Sequence, residues 1–346
     1  MMSTLRTIKR KATVFSNIRS LRDFAEIIQT PVFTISLQAA NPRYKIYEIP
    51  KQKGGLRIIE DPVLPLKKIL RELNEYLQAT YHAIRPDAVF GFCINAGLEE
   101  ERNIVSNASR HLGKPWLLNI DFRDFFHSVY ESDVAAIWDK HFPGFDHTLT
   151  GTLTRLTCFN QRLPMGSPTS PVLSNYAASR LDEELMQLAR HSGLTYTRFA
   201  DDLSFSSSYE IDTRTIGLIR DCISGCRFTI NEEKVKLFSP GMEKSVTGII
   251  VGDDRLSLPA TYLVQLQQEI ARLEQTLLVE ARYRTGMSHK KLELFEQELR
   301  GKINFAQMVL GDTGETAGLA AQFDKALLAT EDFESGNWLE MPYKYF

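Results

Sequence analysis

Apolar positions recur along this chain with two periods, and the switches between them mark its elements. From 64 to 82, Leu66, Ile69, Leu70, Leu73 and Leu77 fall on one face of a predicted helix. Residues 44–60 carry two β-branched runs around a Lys/Gly turn, which predicts a β-hairpin. The run WLLNID over 116–121 predicts a short buried strand, and 132–141 and 147–158 predict helices. A Gly/Ser/Pro loop over 164–171 leads into a predicted long amphipathic helix over 172–191. Strands follow over 194–200 and 203–207, with Asp201 and Asp202 as the turn between them. A helix over 213–226, strands over 235–238 and 246–251, and long helices over 259–280 and 288–310 complete the pattern. The first forty residues predict helical turns broken at Pro31. Strands in the middle of a helical chain predict an α+β class with a helical C-terminal part.

Composition narrows this little. A hydrophobic fraction of 43% and a charged fraction of 24% are those of a soluble globular protein. No apolar run of about 18 residues predicts a membrane span, and the N-terminus lacks the apolar core of a secretory signal. A cytoplasmic location is expected. Cys93, Cys158, Cys222 and Cys226 form no metal-ligand pattern and are read as reduced thiols. The net charge of −2 counts mildly against nucleic-acid binding. Its distribution weakens that objection: residues 1–22 hold six basic side chains and no acid, whereas 312–346 hold seven acids.

Three carboxylates draw attention. Asp121 leaves the end of a buried strand, where it would be held rigidly as a metal ligand or would cap the next segment. Asp201 and Asp202 project from one strand tip, where like charges repel unless a cation neutralises them. Carboxylates suit Mg²⁺, although Asp-rich turns are also common in their own right. Asp253 and Asp254 supply an internal control. They follow Gly252, but no acidic strand end or Gly/Pro loop is newly placed before them, so they are read as a plain hairpin turn. Three carboxylates on neighbouring strands meet the needs of two-metal nucleotidyl transfer.

The order DFRDFF, LPMGSPTSPVLSN, FADD resembles motifs A, B and C of reverse transcriptases. INEEKVKLF resembles motif D, VTGIIV the primer-grip motif E, and GGLRIIEDP the fingers motif. Asn107 and His111 fit the Asn-Ala-x-x-His signature of retron enzymes, and Val246, Thr247 and Gly248 fit their Val-Thr-Gly signature. The resemblance implies a right-hand polymerase fold. Its parts would be an N-terminal helical segment (1–40), fingers (41–115, with further elements near 132–165), an antiparallel-sheet palm (116–255), a helical thumb (256–330) and an acidic tail (331–346).

The same resemblance implies roles. Asp121, Asp201 and Asp202 would bind Mg²⁺, Arg57 would clamp the triphosphate, and Phe126 would lie under the sugar and exclude a 2′-OH. Met165 and Gly166 would line the nucleotide, with Gly166 admitting close backbone approach. Lys234 would protonate the leaving pyrophosphate. Phe199, Val246, Thr247, Gly248, Asn107 and His111 would meet primer or RNA, and Arg282, Arg284, Lys290 and Lys291 would grip RNA phosphates from the thumb. Met165 stands where the family commonly has Gln, and Phe199 where it has Tyr. These departures touch sugar and primer contacts rather than the metal chemistry.

Retron resemblance further implies a cognate structured RNA as template and primer, priming from an internal guanosine 2′-OH, and a branched RNA–DNA product (msDNA) made from dNTPs. Host RNase H would trim the template, and a separately encoded effector protein would act with the enzyme in anti-phage defence. Two rivals stay open at this point: another bacterial reverse transcriptase, group II intron-like or defence-associated, and a degenerate polymerase fold serving as an RNA-binding scaffold.

Overall fold

A computed structural model describes residues 2–51, 54–97, 101–283 and 289–328. Three short helices open the chain: α1 (Met2–Asn17), α2 (Leu21–Ile27) and α3 (Val32–Ala40). Pro31 starts α3, as the pattern predicted. The hairpin β1 (Tyr44–Pro50) and β2 (Leu56–Pro62) follows, then α4 (Leu66–Ile84) with its Leu/Ile stripe fully buried. Next come α5 (Ile104–Ser109), β3 (Trp116–Asp121), a 3-10 turn (Phe126–Ser128), α6 (Glu131–His141) and α7 (His147–Thr157).

The expected single helix over 172–191 is two helices, α8 (Ser170–Ala177) and α9 (Ser179–His191). At the break the Ser179 hydroxyl donates back to the carbonyls of Tyr176 (2.7 Å) and Asn175 (3.2 Å). Such back-bonding competes with the helical ladder and bends it. The chain continues through β4 (Thr195–Phe199), β5 (Asp202–Ser207), α10 (Thr213–Gly225) and β6 (Lys236–Phe238). The predicted strand 246–251 is a tight hairpin, β7 (Ser245–Val246) and β8 (Ile249–Val251), because Thr247 and Gly248 both take positive φ. That is the backbone a two-residue hairpin turn demands. β9 (Leu256–Ser257), α11 (Ala260–Tyr283), α12 (His289–Leu310) and α13 (Gly314–Leu328) complete the described chain. No helix among the described residues is long and apolar enough to cross a membrane.

The chain divides into two compact units, residues 1–242 and 243–346. The small sheet β7-β8-β9 therefore falls in the unit of the C-terminal helices. The first unit is built on an antiparallel sheet of order β4-β5-β3-β6. Alternation sorts its side chains. Ile120, Leu203, Phe205 and Tyr196 point into a continuous core shared with Leu70, Trp138, Leu173, Leu181 and Ile219. The other face carries Asn119, Asp121, Asp202, Ser204 and Ser206 together with Leu117 and Phe199, and so is largely polar.

Candidate active site

Asp121 ends β3 directly opposite Asp202, the first residue of β5. The β4–β5 loop is Ala200 and Asp201, one residue earlier than the sequence pattern placed it, with Ala200 at φ 58°. The Phe122 amide donates to the Asp201 carbonyl at 3.0 Å, and the Asn231 amide to the Asp121 carbonyl at 2.8 Å. Backbone pairing thus brings all three carboxylates to one sheet end. Burial and the Asp121 charge raise the pKa of Asp201. Burial and the charges of Asp201 and Asp121 push Asp202 up to about 7.

Lys234 answers this charge. Its Nζ donates to both Asp121 oxygens at 2.8 Å. Partial burial works against its own charge, and Asp121 more than offsets that, so its pKa is raised. Among the described residues no three Asp, Glu, His or Cys side chains are already closed around one point as a metal cage. The donor set nonetheless fits a hard divalent cation: crowded carboxylate oxygens whose mutual repulsion a cation relieves. Arg57 is exposed on β2, and its positive charge also acts on Asp201.

The hairpin carrying Asp201 is braced from behind. The 88–91 segment runs parallel to β4, with Phe90 N–H donating to Arg198 O (2.9 Å) and Arg198 N–H to Ala88 O (2.7 Å). A Cβ on Gly91 would lie 2.3 Å from Ala200 N, so only glycine permits this approach. The Arg198 side chain is fully buried and meets the equally buried Asp182, Nη2 to Oδ2 at 2.6 Å and Nε to Oδ1 at 2.8 Å. Its Nη1 donates to Asn175 Oδ1 (3.0 Å) and to the Ala200 carbonyl (2.9 Å). A guanidinium thus holds the loop that presents Asp201. Gly91, Asn175, Asp182 and Arg198 were not singled out from the sequence.

The other expected residues distribute unevenly. Phe199 is half-buried on the Asp202 face of the sheet. Phe126 is half-buried against Phe92, ring centroids 5.8 Å apart. Met165 is paired through its backbone to Glu60. Gly166 has φ 129°, and a Cβ there would meet Ile59 at 2.9 Å and the Glu60 carbonyl at 3.0 Å. Close packing against β2 is therefore enough to require glycine here.

Asn107 and His111, expected at primer or RNA, are each 1% exposed and do not reach solvent in this structure. His111 is wedged on the polar sheet face, Nδ1 2.7 Å from Ser206 Oγ and Nε2 2.7 Å from Thr197 Oγ1. Burial pushes its pKa down to about 3, so the imidazole is neutral.

In the second unit Val246 is buried, while Thr247 and Gly248 form the hairpin turn. Asp253 and Asp254 are exposed in the turn between β8 and β9, as read from the sequence. Lys290 and Lys291 are exposed on α12, and Lys302 is ion-paired with Glu269 and Glu298. The Arg282 side chain, Arg284 and the acidic tail lie outside the described residues.

Residues 49–274 match the family model described as reverse transcriptase (RNA-dependent DNA polymerase). The retron Ec86 reverse transcriptase of Escherichia coli is 29% identical over 70% of this chain and 74% of its own length. The retron Mx65 enzyme of Myxococcus xanthus is 30% identical over 71% of this chain, and the match spans 58% of that protein. The retron Ec73 enzyme of Escherichia coli is 31% identical over 68% of this chain and 77% of its own length. On these matches the chain belongs to the reverse transcriptases, the RNA-dependent DNA polymerases, and within them to the retron enzymes.

Proposed function

We propose that this RNA-directed DNA polymerase copies its own structured RNA, priming from an internal guanosine 2′-OH to make branched RNA–DNA, with Asp121, Asp201 and Asp202 holding Mg²⁺. The observation that carries the site assignment is the β3–β5 register, which sets Asp121 opposite Asp202 with Asp201 next in chain. When bound, Mg²⁺ lowers the pKa of the attacking hydroxyl and neutralises the triphosphate. The chain's own groups do the positioning. Lys234 is held protonated beside Asp121 and has a proton to give to the leaving pyrophosphate. Arg57 offers a planar fork to phosphate oxygens. The Phe126 ring, steadied by Phe92 and Phe125, fills the space a ribose 2′-OH would need.

The retron relatives support the finer reading: a cognate RNA as template and primer, msDNA as product, host RNase H trimming, and an effector protein in anti-phage defence. The exposed lysines of α12 suit RNA phosphates. The test is Asp201→Asn combined with Asp202→Asn in the full chain expressed with its flanking RNA gene. DNA synthesis should fall to background with RNA still bound, and branched RNA–DNA should co-purify with the unmutated enzyme alone. Full synthesis by the double variant would overturn the site. Synthesis from an annealed primer without any branched product would overturn the priming.

A further inference from the structure

Glu60 lies three residues after Arg57 on β2 and is 3% exposed, although nothing in the motif roles above calls for a carboxylate there. Its oxygens are fully engaged. Oε1 accepts from Arg162 Nη2 at 3.0 Å, and Oε2 from Arg162 Nη1 at 2.9 Å and from the Met165 amide at 3.2 Å. Its own amide donates to the Met165 carbonyl at 2.7 Å. The imidazole of His127, next in chain to Phe126, lies 3.4 Å from Oε2. Arg162 is itself fixed in a tight turn, with Phe159 N–H donating to its carbonyl at 2.8 Å. Segments distant in sequence therefore converge on one side chain: β2, the 126–128 turn and the 162–166 loop.

Geometry makes this contact a fulcrum. From its Leu56 end, β2 is exposed through Ile58, half-buried at Ile59 and first buried at Glu60. The outer hairpin has little apolar anchorage, so the aim of Arg57 is set where the strand first meets the body. At about 3.3 Å per residue Arg57 stands roughly 10 Å beyond that point. A tilt of about 6° there moves its base by about 1 Å, a misplacement able to cost up to about a hundredfold in kcat/KM.

We propose that Glu60 is a positioning residue for nucleotide selection: paired with Arg162 and the Met165 amide, it fixes Arg57, Phe126 and the 165–166 loop relative to one another. This rests on the roles given above to Arg57 and Phe126. The chemistry requires a carboxylate. An amide in its place offers one oxygen, so its NH₂ must face an Arg162 N–H or the Met165 N–H, donor against donor.

The experiment measures steady-state incorporation of dNTPs and rNTPs on a primed RNA template by the full chain. It compares Glu60→Gln and Arg162→Lys with the unmutated enzyme, and uses Phe126→Ala as reference. For both latch variants KM for dNTP should rise roughly tenfold or more, with kcat changed less. Preference for deoxynucleotides should fall, with RNA binding intact. Arg162→Lys keeps the charge but loses the fork, and it carries the test alone if Glu60→Gln does not fold. Unchanged KM and sugar preference in the latch variants, with preference lost in Phe126→Ala, overturns the latch and leaves the pocket standing. A fall in kcat alone overturns it as well, since that is general damage. Unmutated behaviour in all three variants overturns the pocket assignment and the latch together.

Discussion

Removing Asp182 should unfold this protein far more readily than its distance from the chemistry would suggest. Asp182→Ala leaves the Arg198 guanidinium fully buried, stripped of its charge partner at 2.6 and 2.8 Å. It also takes the acceptor from the Tyr196 hydroxyl, which donates to Asp182 at 2.8 Å. Breaking one side of a buried pair costs about 3–5 kcal/mol, and an orphaned buried hydroxyl adds about 1 kcal/mol. The two bonds from Arg198 Nη1, to Asn175 and Ala200, survive and keep the total near the lower figure, about 4 kcal/mol. For a folded unit of this size that lowers Tm by roughly 8–16 °C. The assay is calorimetric melting of the full chain, with the double variant Asp182→Leu, Arg198→Met alongside. Replacing both partners by apolar side chains removes the stranded charge, so the double variant should regain most of the loss. Its DNA synthesis should still suffer, because the Ala200 carbonyl loses its donor and the Asp201 loop is released. A single variant melting within about 2 °C of the unmutated chain would refute the argument. So would a double variant no more stable than the single.

Two further outcomes follow from contacts at the same hairpin. Burial holds His111 at about 3 against an ordinary 6.5, so below pH 6.5 the unfolded chain takes a proton that the native state refuses. His111 therefore leaves stability untouched above pH 6.5 and erodes it as pH falls towards 3, by about 2 kcal/mol at pH 5. His111→Gln should flatten that slope in urea unfolding at pH 5 and 7, and an unchanged slope would count against it. In Gly91→Ala the new methyl must displace backbone at Ala200 and Phe199, so DNA synthesis should drop on the order of a hundredfold while RNA binding holds. An unmutated rate in that variant would show that the hairpin yields without cost.

What the sequence disclosed depended on whether the cause was local. The hairpin β1–β2, the strand WLLNID and the order of the acidic motifs were legible because period and spacing carry them. The exposed turn at Asp253 and Asp254 was legible for the same reason. The β4–β5 loop was misplaced by one residue because Ala200 takes a left-handed φ that nothing in its side chain announces. The helix break at Ser179 needed a hydroxyl turned back on its own backbone. Arg198 and Glu60 were missed because a charged residue in a strand reads as solvated until its partner is known. Those partners, Asp182 and Arg162, lie 16 and 102 residues away. The burial of Asn107 and His111 was not legible from their motif, since a short string carries identity but not burial. The closeness of Gly166 to the carbonyl of Glu60 was not legible, because that neighbour lies on a distant strand.

The sheet edges also bear on how the protein behaves in a tube. The central sheet is guarded at both ends: residues 88–90 cover β4, and β6 is three residues long with exposed Lys236. Short, charged or covered edges resist pairing with another molecule. The hairpin β1–β2 is different. It is two-stranded, and Ile46, Ile49, Leu56 and Ile58 are all exposed on it. An apolar ribbon with an open edge is a template for strand addition, held apart between molecules chiefly by Lys45, Lys51 and Arg57. Concentrated salt screens those charges while leaving the apolar surface as sticky as before. Colloidal loss on storage should therefore begin at this hairpin, and purification at modest ionic strength is the gentler course.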